Sequence, residues 1–255
     1  MSVKVVIAGC CGRMGSRIAA LALNGNSPPI AVGGAFEVTG HPAIGKDLGS
    51  ALNTESAGII VTDNIDAALG TGDVLIDFTT PEATMEHLRR AKALKKSMVI
   101  GTTGLPEADR DLVKACSQEI PILFSPNMSL GVNVLFELAE IAAKRLGPRY
   151  TVELEETHHA GKKDAPSGTA KRLQELIAGI RKVRPEEVPC RSHREGNVVG
   201  DHKIIFSGPS EHVELSHHAE SRDVFALGAL RAALFVAQQP PGLYDMSHVL
   251  GRPAR

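Results

Sequence analysis

Long uninterrupted apolar runs, clusters of lysine and arginine, and a regular cysteine pattern are all lacking in this sequence. Without a long apolar run we expect no membrane-spanning helix, because crossing a bilayer takes about 20 consecutive apolar residues. A formal net charge of -1 at pH 7 gives no electrostatic footprint for nucleic acid or for an anionic membrane surface. We therefore expect neither a nucleic-acid partner nor a membrane partner, and any anion must be recognised locally.

Cysteine is scarce, and its positions argue against two kinds of structural site. Cys10 and Cys11 are adjacent, whereas Cys116 and Cys190 are isolated. This spacing is typical neither of a zinc site nor of a disulfide framework, so we expect no bound metal. Reduced thiols point to a cytoplasmic protein. The N-terminal apolar stretch Val3–Ala8 is too short for the core of a signal peptide.

A glycine-rich turn follows this first apolar stretch. Val3–Ala8 shows no alternation, as in a parallel strand buried on both faces, and Gly9–Gly15 leads from it into a helix. Glycines there let a pyrophosphate approach the backbone, and the helix N-terminus supplies free N–H groups. Glu37 ends the next apolar run, 22 residues beyond Gly15, close to the spacing of about 20 expected for a ribose-binding acid. The alternative is that the glycines only tighten a turn and Glu37 is a solvated strand end.

Strand and helix signals then alternate, which predicts an α/β fold with a doubly wound parallel sheet of the Rossmann type. Strands are predicted at 73–78, 97–101 and 120–124. In such sheets the ligand lies beyond the carboxyl ends of the strands, so the turns after these strands should line one cleft with the glycine loop. The predicted cofactor-binding residues are Gly9, Cys10, Cys11, Gly12, Arg13, Met14, Glu37, Phe78, Gly101, Thr102, Thr103, Ser125, Pro126, Asn127 and Met128.

The second half contains a short segment rich in groups that transfer protons or bind anions. His158, His159 and Lys162 lie between a predicted strand and a helix that starts near Thr169. The free N–H groups of that helix start are a ready carboxylate site, so an acidic ligand is expected. The histidines are catalytic, metal-binding or structural. A metal is disfavoured because neighbouring strand residues point to opposite faces and no nearby cysteine or carboxylate completes a ligand set.

The segment His158-His159-x-x-Lys162-x-Asp-Ala-Pro-Ser-Gly-Thr169 closely resembles the signature of the 4-hydroxy-tetrahydrodipicolinate (dihydrodipicolinate) reductase family. The resemblance spans nearly the whole chain. Its other motifs are Gly9-x-x-Gly12-Arg13-Met14-Gly15, Asp77-Phe78-Thr79, Gly101-Thr-Thr-Gly-Leu105, Ser125-Pro-Asn-Met-Ser-Leu-Gly-Val-Asn133, Arg194-Glu195-Gly196 and Gly242-Leu-Tyr-Asp-Met246. It implies an enzyme that uses NADH or NADPH to reduce a small cyclic dicarboxylate to tetrahydrodipicolinate in lysine and diaminopimelate biosynthesis.

The resemblance also implies roles for individual residues. His158 would be the acid/base that handles a proton, and Lys162 a second proton donor. His159 and the backbone of Gly168 and Thr169 would hold a substrate carboxylate. These roles agree with elementary chemistry, because a hydride arriving at one atom builds up electron density that a nearby cation or acid must neutralise.

One position departs from a common pattern of the family. In many relatives an arginine follows the ribose-binding acid and can pair with the 2′-phosphate of NADPH, whereas here Val38 follows Glu37. A glutamate bonds a free 2′-hydroxyl and repels a phosphate, so we predict a preference for NADH. Arg13 and Lys46 are the cations that could restore NADPH binding.

Two domains are predicted. Residues 1–128, completed by 222–255, form the dinucleotide-binding domain, and residues 129–221 form a smaller α+β domain for substrate binding and tetramerisation. Strand signals at 150–156, 202–208 and 211–218 predict a mixed sheet with helices on one face. We expect the other face to be buried against a copy, and the family's tetramers imply a homotetramer. His217 and His218 are assigned no catalytic role, because they are typical of the solvated or interface face of a strand.

Two other functions explain part of the sequence. A protein like aspartate-semialdehyde or homoserine dehydrogenase would share the two-domain design, but the first of these needs a nucleophilic cysteine in the cleft. Cys10 and Cys11 lie in the nucleotide loop and Cys116 on a predicted helix. A non-catalytic sensor of NAD(H) would account for the first half and leave the segment 158–169 without a role.

Overall fold

The computed structural model describes residues 2–25 and 29–251. The chain forms two compact units, Met1–Met128 with Phe225–Arg255, and Ser129–Val224. The chain thus leaves the first unit after Met128 and returns to it after Val224. The predicted boundaries lie after residues 128 and 221.

Helices and strands alternate through most of the chain. In chain order the first elements are β1 (Val3–Ala8), α1 (Gly15–Leu23), β2 (Ile30–Phe36), α2 (Leu48–Ala51), α3 (Ile65–Leu69), β3 (Val74–Asp77), α4 (Pro81–Ala93), β4 (Ser97–Ile100), α5 (Glu107–Cys116) and β5 (Pro121–Phe124). They are followed by α6 (Leu130–Leu146), β6 (Thr151–His158), α7 (Gly168–Arg181), β7 (Cys190–Arg194), β8 (Asp201–Ser207), β9 (His212–His218), α8 (Asp223–Val236), β10 (Gly242–Tyr244) and α9 (Met246–Val249). Among the described residues, no helix is both long and apolar enough to span a bilayer.

The first unit contains a six-stranded sheet in the order β10-β5-β4-β3-β1-β2, and all its paired strands are parallel. All four residues of β3 are buried, as expected for a parallel strand with both faces covered. The strand order reverses between β1 and β3, which opens a crevice at the carboxyl ends of these strands. The predicted doubly wound parallel sheet is confirmed.

The second unit contains a four-stranded mixed sheet in the order β7-β6-β8-β9. β6 pairs with β7 in parallel and with β8 antiparallel, and β8 pairs antiparallel with β9. Helices α6 and α7 pack against one face of this sheet. The buried core there consists of Leu135, Ala139, Ala143, Val152, Leu154, Leu173, Ile177, Ala178, Val188, Ile204 and Phe206. The predicted mixed sheet with helices on one side is confirmed.

The sheet face that these helices leave uncovered is polar. Arg191 on β7 lies 2.5 Å from a carboxylate oxygen of Glu153 and 3.6 Å from one of Glu155, both on β6. Lys203 on β8 pairs with Glu214 on β9 at 3.2 Å. Charged side chains on this face thus pair with each other across neighbouring strands, and burial of the face against a copy of the chain stays a prediction. A tetramer therefore remains an expectation from the resemblance.

The two histidines at the end of β9 lie on opposite faces. His218 is exposed, and its Nδ1 is 2.5 Å from Asp201. His217 faces α6, where a methyl group on Gly131 would lie 2.9 Å from the imidazole. Its Nδ1 is buried and has no hydrogen-bond partner among the residues that the structure describes. The prediction of a solvated or interface face is therefore wrong for His217.

Candidate active site

The glycine loop lies at the carboxyl end of β1, and tight backbone packing explains its composition. A methyl group on Gly15 would lie 2.1 Å from the carbonyl oxygen of Gly9, and Gly9 has a φ of +59°. Helix α1 begins without a side-chain cap, whereas serine or threonine caps α4, α6 and α7. No capping side chain thus competes for the first N–H groups of α1, which suits an anion such as a pyrophosphate. Around this loop Cys10 is buried, Cys11 and Met14 are half-buried, and Gly12 and Arg13 are exposed.

Glu37 reaches this loop from the end of β2. Its Oε1 accepts a hydrogen bond from the backbone N–H of Cys11 at 2.8 Å, and its Oε2 accepts one from the N–H of Val38 at 3.3 Å. The side chain of Val38 is in solvent, with 73% of the residue exposed. The acid predicted to bind a ribose therefore lies beside the loop predicted to bind a pyrophosphate.

A buried polar network that was not predicted from the sequence fixes the turn after β3. Asp77 is fully buried; its Oδ2 lies 2.7 Å from Nδ1 of His87, and its Oδ1 accepts hydrogen bonds from the N–H and the hydroxyl of Thr79. Thr79 in turn packs on Gly9, where a methyl group would lie 2.9 Å from the threonine Cγ2. The available signal was a carboxylate at the end of a wholly apolar buried strand, which needs a partner.

Two of the predicted cofactor-binding hydroxyls turn inward. Thr102 is buried, and its Oγ1 accepts a hydrogen bond from Thr84 at 2.8 Å. Ser125 is buried and donates its hydroxyl to the carbonyl oxygen of Asn127 at 2.9 Å. Both hydroxyls therefore bond within the protein, and contact of Thr102 and Ser125 with a cofactor stays a prediction. Of the other predicted residues of these turns, Gly101 lies under the ring of Phe78, Met128 is buried, and Thr103 and Pro126 are exposed.

His158 ends β6 on the helix-covered face of the second sheet, where it meets a buried carboxylate. Its Nδ1 is hydrogen-bonded to Oε2 of Glu156. Arg194 holds the same carboxylate with two guanidinium nitrogens, at 3.1 and 2.9 Å. A carboxylate lies beside His158 because residues two apart on a strand share a face, and the absence of a metal at these histidines stays a prediction.

Electrostatics fix the protonation state of this cluster. Burial raises the pKa of Glu156, but hydrogen bonds from Arg194, Ser192 and His158 outweigh it and lower the pKa to about 2. Burial lowers the pKa of His158 below its ordinary value, and Glu156 offsets only part of that effect. An ionised carboxylate only accepts hydrogen bonds, so Nδ1 carries a proton and Nε2 is the nitrogen left for proton transfer.

A second buried histidine, also missed from the sequence, lies beside the first. The ring centroids of His202 and His158 are 5.2 Å apart, and Nε2 of His202 lies 3.2 Å from Oγ of Ser167. Ser167 caps helix α7 by accepting the N–H of Ala170. Burial, reinforced by the charge of His158, lowers the pKa of His202 to about 3, so this ring is uncharged at neutral pH. The hydrogen bond between His202 and Ser167 connects β8 to the start of α7.

The loop that carries Lys162 is held by the same buried ion pair. Nζ of Lys162 lies 2.8 Å from Oδ1 of Asp164. Arg194 donates to the carbonyl oxygens of Lys162 at 3.3 Å and of Asp164 at 2.5 Å. Oε1 of Glu156 accepts the N–H of Ser167 at 3.2 Å. Glu156 and Arg194 therefore organise His158, the lysine loop and the start of α7 together.

His159 points away from this cluster and lines an open cavity of about 430 Å³. The cavity lies within the second unit. Its other lining residues are Ala160, Gly161, Gly196, Asn197, Val199 and Arg222. Gly168 and Thr169 form the first turn of α7 and do not line this cavity. The predicted substrate-binding residues thus fall at two places, a helix start and a cavity with an arginine.

Comparison with known proteins agrees with the resemblance found in the sequence. Residues 3–128 match the family model described as dihydrodipicolinate reductase, N-terminus, and residues 131–250 match the model described as dihydrodipicolinate reductase, C-terminus. The 4-hydroxy-tetrahydrodipicolinate reductase of Syntrophobacter fumaroxidans is 42% identical, over 98% of this chain and 99% of the relative. That of Anaeromyxobacter dehalogenans is 44% identical, over 97% of each chain.

Solved structures support the fold. A dipicolinate-bound dihydrodipicolinate reductase from Paenisporosarcina sp. TG-14 superposes with a TM-score of 0.80 over 96% of this chain and 98% of that one, at 24% identity. At this identity the likeness shows the fold alone. The two family models and the full-length relatives carry the assignment. The chain belongs to the dihydrodipicolinate reductase family.

Proposed function

We propose that this chain catalyses the NAD(P)H-dependent reduction of 4-hydroxy-tetrahydrodipicolinate to tetrahydrodipicolinate, a step of lysine and diaminopimelate biosynthesis. The full-length relatives carry the name of this reductase. The observation that carries the proposal is the buried cluster of Glu156, His158 and Arg194, which also holds the loop of Lys162. Two groups able to give a proton, His158 and Lys162, belong to the segment that leads into helix α7, and hydride addition to the substrate ring needs a proton donor.

The residues of the first unit fit a dinucleotide. The close-packed glycines leave the backbone of residues 9–15 open to a pyrophosphate, and no side chain caps the start of α1, where the helix dipole favours an anion. Glu37 would accept the ribose hydroxyl. Beyond β4 and β5, backbone groups would contact the nicotinamide half, since Thr102 and Ser125 use their hydroxyls internally. The chemistry supplied by a bound nicotinamide is hydride transfer to the substrate.

The substrate carries two carboxylates, and the second unit offers two kinds of anion site. The backbone N–H groups of Gly168 and Thr169 open α7, where the helix dipole favours negative charge. His159 shares its cavity with Arg222. We assign one substrate carboxylate to the helix start and the other to His159 and Arg222 in the cavity.

His158 handles a proton through Nε2. The free imidazole is mostly uncharged at neutral pH, because burial lowers its pKa. A dianionic substrate beside it raises the pKa again, so His158 takes up a proton as the substrate binds. Gly200 keeps this side of the ring open, since a methyl group there would lie 3.1 Å from Nε2. Lys162, held by Asp164 at 2.8 Å, supplies the second proton.

We further propose that the enzyme is cytoplasmic and acts as a homotetramer. The four cysteines are free thiols, in keeping with a reducing compartment. The tetramer follows from the family resemblance. A stable monomer in light scattering would overturn the tetramer.

A coupled assay tests the proposed function. Aspartate semialdehyde, pyruvate and the synthase that precedes this step generate the substrate in situ, and the oxidation of NADH and of NADPH is followed separately. We expect oxidation that depends on every component of the mixture. Failure to oxidise either cofactor, with the synthase shown to be active, would overturn the proposal.

The structure also supports a preference for NADH. Glu37 lies at the loop with exposed Val38 beside it, so a 2′-phosphate meets a negative charge there. We expect kcat/KM to be higher with NADH than with NADPH. We also expect Val38→Arg to raise kcat/KM for NADPH by about 10-fold, the gain in binding that one added charge-assisted hydrogen bond gives. Val38→Gln is the matched control, because it adds length without charge. A higher kcat/KM with NADPH in the unmodified chain would contradict this preference.

A further inference from the structure

The glycine loop brings together three side chains whose donor atoms suit a metal ion. The two sulfurs of Cys10 and Cys11 and a carboxylate oxygen of Glu37 all lie within 4.8 Å of one another. This group is not apparent from the sequence, because Glu37 is 26 residues beyond Cys11. Both cysteines are free thiols.

The distance between the sulfurs matches shared coordination. Sγ of Cys10 and Sγ of Cys11 are 3.9 Å apart. Two thiolates on one tetrahedral Zn²⁺, each at about 2.3 Å, are separated by about 3.8 Å. A disulfide would bring the sulfurs to about 2.0 Å. The pair is therefore already spaced for one ion.

The carboxylate is also in place. Oε1 of Glu37 accepts the N–H of Cys11 at 2.8 Å, which orients the carboxylate toward the thiols. Each carboxylate oxygen has a further lone pair, so this bond leaves room for a metal. Cys10 is fully buried, whereas Cys11 and Glu37 are half-buried, which gives an ion a path from solvent.

The donor set selects the kind of ion. Two sulfurs with one carboxylate favour zinc and other thiophilic divalent cations over magnesium and calcium, which prefer oxygen alone. Burial raises the pKa of both thiols. The free protein therefore holds them as thiols, and metal binding releases their protons.

We propose that Cys10, Cys11 and Glu37 bind one Zn²⁺ ion, with a fourth position open to water. A bound ion would engage the glycine loop and Glu37, and the dinucleotide needs both. Zinc and NADH therefore exclude each other. This second statement rests on the proposed function, because it takes Glu37 as the ribose ligand. The zinc site itself does not depend on it.

Zinc binding to the reduced full-length chain tests the site. ZnCl₂ is titrated in competition with a chromogenic chelator. We expect one Zn²⁺ per chain, and an affinity at least about 10-fold weaker in Glu37→Gln and at least about 100-fold weaker in Cys11→Ser, because loss of a mere outer-shell partner of a metal ligand already costs about 10- to 100-fold. Cys190→Ser, which removes a thiol from the other unit, is the matched control and should bind like the unmodified chain. Equal affinity in Cys11→Ser and the unmodified chain would overturn the site.

Cobalt gives a direct spectroscopic check that needs no variant. Co²⁺ bound through two thiolates shows a strong near-ultraviolet charge-transfer band, which we expect in the unmodified chain. Stoichiometric cobalt binding without that band would also overturn the site, whatever the stability of the variants.

The exclusion of cofactor is measured separately. Adding NADH to the zinc-loaded chain should release zinc to the chelator. If zinc stays bound while NADH binds, exclusion is overturned and the zinc site stands. A chain that binds no NADH even without zinc would speak against the proposed function instead.

Discussion

Lys162→Ala is expected to lower kcat by about 10²- to 10⁴-fold, the contribution of a positioned proton donor, with the Kd for NADH unchanged. Lys162 lies in the second unit on a loop held by Arg194 and paired with Asp164. The glycine loop and Glu37 belong to the first unit. Losing the ammonium therefore removes a proton donor and leaves every residue of the predicted dinucleotide site unchanged. Steady-state kinetics in the coupled assay and NADH titration by fluorescence measure the two quantities.

The neighbouring lysine provides a matched control. Lys163→Ala removes the same charge from the same loop, but Lys163 is exposed, and its kcat should stay near that of the unmodified enzyme. Full activity in Lys162→Ala would favour a non-catalytic NAD(H) sensor, in which this lysine has no chemical task. An equal loss in both variants would indicate general attraction of an anionic substrate instead of proton donation.

Much of the fold could be predicted because buried parallel strands appear as unbroken apolar runs. The first two apolar runs of the sequence, Val3–Ala8 and Ile30–Phe36, coincide with β1 and β2 residue for residue. Helix starts were less certain. The apolar pattern of the sequence predicts a helix from Asn133, whereas α6 begins at Leu130, because Ser129 caps it by accepting the N–H of Val132. A local hydrogen bond, which hydrophobic periodicity does not register, sets that boundary.

Only part of the candidate site could be predicted from the sequence. His158 and Lys162 lie in one short motif, so the sequence marks them as candidates. Glu156 and Arg194 are 38 residues apart, and only the parallel pairing of β6 with β7 brings them together. Pairing of that kind depends on the whole sheet. The alternation along β6 places Glu156 on the buried face with Val152 and Leu154, but no local pattern identifies Arg194 as its partner.

The direction in which polar side chains point was also not predictable from the sequence. Thr102 follows a strand at the expected edge of the sheet, yet its hydroxyl belongs to the network around Asp77. His217 follows an alternating pattern, yet it faces α6. Position at a strand end predicts the neighbourhood of a side chain, whereas its direction depends on which buried polar groups need partners.

Glu156→Gln is expected to lower kcat/KM by about 10- to 100-fold, part of what a general acid contributes. Glutamine keeps the size of the side chain but removes the charge that raises the pKa of His158. That pKa therefore falls further, and fewer molecules carry the proton that the reaction needs. Because an acid must be protonated to act, kcat/KM declines as pH rises through this pKa. In the variant the decline should move to lower pH, as the pH profile of kcat/KM will show.

Glu155→Gln is the matched control for this variant. Glu155 is the next residue on β6, faces the opposite side of the sheet, and pairs with Arg191, so its profile should not move. Glu156→Gln also leaves the guanidinium of Arg194 without its carboxylate, and a melting curve must establish that the variant is folded at the assay temperature. A role confined to stability would reduce the active fraction and leave the pH of the decline in place. Only a shifted profile identifies Glu156 as the residue that sets the proton affinity of His158.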